Sequence, residues 1–219
     1  MATRQVLAEL VAAYQQQAGQ TVAIESVGGV DAARRVAAGE AFDVVILASD
    51  AIDKLVASGH VLAGSKVDLV HSGVAVAVRA GAPKPDISSE AAVRDAVLKA
   101  RSLSYSTGPS GVALAQLFER WGIAGQIEDR IVTPPPGIPV GSLVARGEVA
   151  LGFQQLSEML NLEGLTVLGP LPPAIQITTI FSAGVCASST QADAVRAMLA
   201  YMASPAAAEA KRRQGMEPV

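Results

Sequence analysis

Four short stretches carry the residues whose types and spacing could do chemistry. In "YSTGPSGVALAQLFERWGI", residues 105–123, an apolar strand breaks into Ser106, Thr107, Gly108, Pro109, Ser110 and Gly111 before an amphipathic helical pattern resumes. Pro109 suits a first helical turn, and Ser110, Gly111 and Val112 are expected to present unpaired backbone N–H groups. Free N–H groups, a helix dipole and neighbouring hydroxyls together suit the oxygens of an anion. The same residues would also serve a plain helix cap with no ligand.

The other three stretches repeat this logic. "VGGVD" places Gly28 and Gly29, which permit close backbone approach, ahead of Asp31 as the expected N-cap of the next helix. In "TPPPGIPVGSL", Gly137 and Ile138 are expected to donate backbone N–H groups while Pro139 sets a first turn. "LGFQQLSE" interrupts a strand with two amides that point to opposite faces, Gln155 toward a ligand and Gln154 toward a cap or solvent. Glu158 reads as a nearby acid or base or, more simply, as a solvated helix residue.

Other chemistries find no pattern. No lysine follows the last glycine of a phosphate loop, and no dinucleotide fingerprint or nucleophile elbow occurs. His60 and His71 lack metal-ligand spacing, so neither a metal nor a cofactor is expected. Cys186, the one cysteine, sits in the apolar run "FSAGVCA" and reads as core.

These loops need a scaffold, and the chain reads as one. Its 219 residues are 50% hydrophobic and 17% charged, with a net charge of -3, a composition for a packed α/β protein and against a nucleic-acid partner. No apolar run is long enough to cross a bilayer. The opening residues give an amphipathic helix with Val6, Leu7, Leu10, Val11 and Tyr14 on one face, followed by an expected strand in "TVAIES". Thereafter strand, loop and helix alternate, with proline-marked crossings near residues 80 and 173. We therefore expect two lobes, residues 1–80 with 174–219 and residues 81–173, each a mostly parallel sheet flanked by helices. Ligands of such sheets bind beyond the carboxyl ends of the strands, here in a cleft between the lobes.

The blocks "VGGVDAARRVAAGEAFDVVILAS", "YSTGPSGVALAQLFERWGI", "PPPGIPVGSLVARGEVALGFQQLSE", "GPLP" and "GMEPV" carry a resemblance to type II periplasmic solute-binding proteins. Within them the chain is similar to the molybdate-binding proteins of ABC transporters, in a divergent branch that includes aconitate isomerase-like proteins. The resemblance implies a monomeric two-lobed receptor that closes on a small oxyanion or carboxylate and delivers it to an ABC permease, without a cofactor. The alternative it implies is an isomerase moving a proton on a small tricarboxylate.

Matched by position, the family's first-lobe loop serine falls on Gly29, its second-lobe alanine on Ser110, its backbone valine near Gly137 and its late tyrosine on Gln155. The first serine-bearing loop falls at Ala2 or Thr3. Glycine for serine and glutamine for tyrosine change the groups a tetrahedral oxyanion would meet. A carboxylate ligand calls for a cation, with Arg4 and Arg34 the nearest candidates. Relatives open with a buried strand ahead of the loop matching Ala2 and Thr3, so the expectation is an upstream strand and leader, and a periplasmic location.

Overall fold

The computed structural model describes residues 2–135 and 137–219. The chain divides into two units, residues 1–72 with 179–219, and residues 73–178.

In the first unit, helix α1 (Arg4–Ala18) buries Val6, Leu7, Leu10, Val11 and Tyr14, the face its spacing predicts. Gly19 ends it in the left-handed region at φ 67°, its N–H donating to the Gln15 carbonyl. Residues 21–26 form no strand. Their backbone is tied to α1 through the Val22 N–H, which donates to Gln15 Oε1 at 2.6 Å, and no described strand lies beside them to complete a ladder. Helix α2 (Gly29–Ala37), strand β1 (Val44–Ala48), helix α3 (Ser49–Ala57) and the thirteen-residue strand β2 (Val67–Arg79) follow. After the second unit, the chain returns through a strand reaching Val185, helices at Ala192–Ala203 and Ala208–Arg213, and a terminal strand, Met216–Pro218. The terminal strand pairs antiparallel with residues 70–72 of β2. Val6, Leu10, Val70, Val185, Leu199, Met202 and Met216 fill the core between α1 and this sheet.

The second unit holds α4 (Glu90–Lys99), β3 (Leu103–Tyr105), α5 (Pro109–Arg120), α6 (Ala124–Ile127), α7 (Val140–Ala145), β4 (Leu151–Gln155) and β5 (Leu165–Pro170). In chain order the returning strand is then β6 (Thr178–Val185), the helices α8 and α9, and the terminal strand β7. Ser89 caps α4, its Oγ accepting from the Ala92 N–H at 3.1 Å. One face of the sheet buries Val74, Val76, Leu103, Leu151 and Phe153 against Leu114 and Phe118 of α5. Phe118 meets Tyr105 and Phe153 edge-on, with centroids 5.8 and 6.2 Å away. The opposite face packs on Val140, Leu143 and Val144 of α7. Gly152 lets α7 this close, since a Cβ there would lie 2.5 Å from Val144 Cγ2.

The α/β class holds, but the expected mostly parallel sheets do not: among the described strand pairs only β3 and β4 run parallel. β3 and β4 are parallel, whereas β2 runs against both β4 and β5. The reason is connectivity: β2 arrives from the first unit and not by a strand–helix–strand return, so no parallel crossover governs it. β1 likewise opposes β6. The strand expected near "RIVT" reduces to a single parallel bridge from Ile131 to Leu103.

Candidate functional site

The candidate residues fall into separate groups in the two units. In the second unit β3 delivers Ser106 and Thr107 to the start of α5, with Gly108 as N-cap and Pro109 in the first turn. Ser106 Oγ and Ser110 Oγ lie 3.0 Å apart in a hydrogen bond that either hydroxyl can donate; Ser110 is buried and Thr107 exposed. Gly111 sits against the Ser106 carbonyl so closely that a Cβ there would be 1.6 Å from that oxygen. The loop and the first helical turn are therefore one packed unit.

The expected donors at this helix start are fewer than its sequence implies. The N–H groups of Gly111 and Val112 both donate to the Gly108 carbonyl, at 3.0 and 3.1 Å, because the first turn is tight. Ser110 keeps its N–H without a partner among the described residues. The more open donor set lies in the first unit, where Gly28 is the N-cap of α2 and the Ala32 N–H is the first to close on it. The N–H groups of Gly29, Val30 and Asp31 have no partner among the described residues, and all three residues are exposed. Asp31, expected as the cap, instead sits within the first turn and accepts from Arg34 at 2.9 Å. That occupies Arg34. Arg4, exposed beside Thr3 at the start of α1, forms no ion pair among the described residues.

The third stretch departs further. Gly137 has φ +78° in a turn closed by the Ile138 N–H on the Pro135 carbonyl at 3.0 Å, so Ile138 is not a free donor. The amides of β4 are both buried. Gln154 Oε1 accepts from the Gly141 N–H at 3.0 Å, which places this amide on the α7 face as its cap. Gln155 stands two residues beyond Phe153, as Thr107 stands two beyond the paired Tyr105, so both reach the same end of the sheet. The third amide-side group, Glu158, is half-buried in a short 3-10 turn, Leu156–Glu158, and not on a solvated helix. Burial pushes its carboxyl above the usual range, and a hydrogen bond from Gln154 partly offsets this.

A family model described as bacterial extracellular solute-binding protein matches residues 1–217. The chain belongs to this family. The solute-binding protein is 42% identical over 219 residues to an aconitate isomerase of Pseudomonas sp., an alignment covering 96% of this chain and 82% of that one. Among solved structures it superposes on the Azotobacter vinelandii periplasmic molybdate-binding protein with TM-score 0.80 at 22% identity, covering 98% and 95% of the two chains. On the substrate-binding domain of a molybdenum ABC transporter from Clostridium difficile the TM-score is 0.78 at 13% identity, covering 100% and 95%. The fold is that of type II periplasmic binding proteins.

Sequence reasoning missed one feature of the solute-binding protein and half-found another. Ser104, central in β3, is fully buried with its hydroxyl unpartnered, a position its alternation with Leu103 and Tyr105 assigns to the α7 face. Gln154 caps α7, one of the two roles expected for it, though the sequence did not name Gly141 as the partner. Elsewhere His60 Nδ1 lies 2.9 Å from Ser58 Oγ on the surface. Cys186 is buried, and burial together with the Asp43 charge raises its thiol to about 11, so it packs as an inert core residue. Among the described residues no group of three or more His, Cys, Asp or Glu is arranged to hold a metal ion.

Proposed function

We propose that this solute-binding protein captures a small oxyanion or organic carboxylate outside the cytoplasm and, as a single chain, hands it to the permease of an ABC transporter. The observation that carries the reading is the set of uncharged donors at two helix starts. These are the unpartnered N–H groups of Gly29, Val30 and Asp31, and the Ser106–Ser110 hydroxyl pair beside the Ser110 N–H. Both helices are long enough to hold a dipole toward an anion. Thr3, Thr107, Gly137 and Gln155 complete the proposed shell, with Arg4 as its cation when the ligand is a carboxylate.

A thermal-shift series against molybdate, tungstate, sulfate, phosphate, citrate and cis- and trans-aconitate tests this. The recognised anion, at about a thousand times its dissociation constant, adds roughly 4 kcal/mol of stability. In a chain of this size that raises Tm by on the order of 10 °C. Ser110→Ala and Gly29→Val are expected to weaken binding about tenfold each. Gly29 tolerates a side chain sterically, since its Cβ would find Leu47 Cδ2 at 3.8 Å. If both variants bind every ligand as well as the parent does, these loops are not the site.

A second reading is favoured by the 42% identical aconitate isomerase. In it the same loops hold an unsaturated tricarboxylate while an acid–base group removes a proton from one carbon and returns it to another. Glu158, its carboxyl raised by burial, suits that role. NMR of cis- and trans-aconitate with the protein in deuterated water is then expected to show interconversion with deuterium entering the product. Absence of both effects leaves transport alone.

A further inference from the structure

At the other end of the second unit's sheet lies a cavity of about 500 Å³, bounded by the loop after β2 and by the segments entering β3 and β4. Its lining includes Arg79 and Arg101 together with Ala80, Ala82, Pro83 and Val149. Ser106, Thr107 and Gln155 stand at the carboxyl ends of β3 and β4, whereas Arg101 and Ala150 stand just before the amino ends of the same two strands. The two places are separated by the length of the sheet.

Both arginines are solvent-exposed, and two features of this open pocket bear on its use. First, neither arginine's guanidinium has an ion pair or hydrogen bond among the described residues. Glu148, the carboxylate between the lining residues Gly147 and Val149, is engaged by Arg146 Nε. Second, the walls are fixed. The Ala80 N–H donates to Gly164, the Ala82 N–H closes a turn on Arg79, and the Ala150 N–H donates to Ser102 Oγ at 3.0 Å. The Arg79 side chain rests on Gly147, where a Cβ would come within 3.1 Å of Nη1. Its guanidinium is left open for an external acceptor.

We propose that this cavity is a second anion site, taking a small organic dicarboxylate. Two guanidinium groups match two carboxylates, each capable of paired N–H to oxygen bonds. The alanine, proline and valine walls match a hydrocarbon linker, which an inorganic oxyanion lacks. The volume lies in the range of small-ligand pockets, about 300–1,000 Å³, and exceeds what a single tetrahedral ion fills. The site stands independently of the helix-start loops.

Titrating the 15N-labelled full chain with succinate, and separately with sodium sulfate, tests the proposal by amide shifts. Succinate is expected to move the Gly81, Gly147 and Ala150 amides along saturating curves, with a dissociation constant of about 1 mM or tighter. Ser110 and Gly111 should stay still in that titration. The Arg79→Gln, Arg101→Gln double variant should bind at least tenfold more weakly while giving an otherwise unchanged spectrum. Linear, unsaturating shifts, sulfate saturating as tightly as succinate, shifts confined to the α5 start, or undiminished binding by the double variant would each overturn it.

Discussion

Replacing Gly111 with alanine is expected to cost about 3 kcal/mol of stability and lower Tm by roughly 6–12 °C. The new Cβ would fall 1.6 Å from the Ser106 carbonyl oxygen and 2.6 Å from its carbon. Both obstacles are backbone, so no side chain can swing aside, and the start of α5 has to retreat from the end of β3. Such a retreat also separates Ser106 Oγ from Ser110 Oγ. Gly108→Ala supplies the control, because its Cβ would meet Ser106 Oγ at an ordinary 3.9 Å. Scanning calorimetry of the two variants should show a large loss for the first and a change within about 1 kcal/mol for the second. Equal melting of Gly111→Ala and the parent protein would refute the packed loop.

The second large effect is a gain. Lys211 in α9 is 1% exposed, yet its side chain makes no ion pair or hydrogen bond among the described residues. Its neighbours in the helix do pair: Arg212 with Glu217, and Arg213 with Glu9 and Glu209. Ala207 and Ala210, on the same helical face, belong to the apolar core. The stem of Lys211 packs among apolar neighbours, and partial burial of its amine pushes it below its ordinary value of 10.5. Between the lowered folded value and 10.5, the unfolded chain binds more protons than the folded one. Stability contributed by this group therefore rises with pH across that window and is lost as pH falls through the folded value. Lys211→Met should be more stable than the parent at pH 7 by about 1–3 kcal/mol, the margin narrowing as pH approaches the ordinary lysine value. Urea unfolding from pH 7 to that limit measures both curves. A less stable variant with a pH-independent margin would contradict the account.

Legibility in the sequence followed the range of the interactions. The buried face of α1, Pro109 in the first turn of α5 and the core placement of Cys186 all rest on local spacing or composition, and each is where its pattern puts it. Residues 21–26 alternate as a strand should, but a strand needs a neighbour, and neighbours are not written in six residues. The helix starts failed at finer grain. Residue types announce a cap, yet the tight first turn of α5 decides that Gly111 and Val112 spend their N–H groups on Gly108. Gln154 and Gln155 look alike in sequence, and only the packing of α7 against β4 shows which amide caps Gly141. Glu158 lies in a short turn that helical periodicity cannot anticipate. Arg79 and Arg101, twenty-two positions apart, come to one cavity through strand order alone.

The division of the chain also has a temporal side. Residues 73–178 form one unbroken unit, whereas the other unit is assembled from 1–72 and 179–219. During synthesis the continuous unit has all of its residues as soon as Thr178 clears the ribosome, while α1, β1 and the first half of β2 wait for β6 and β7. The apolar stripe of α1 is made before the second unit and is covered only after β6, α8 and β7 have followed. The long loop closure falls on the N-terminal segment, which makes it the segment most in need of a holding chaperone.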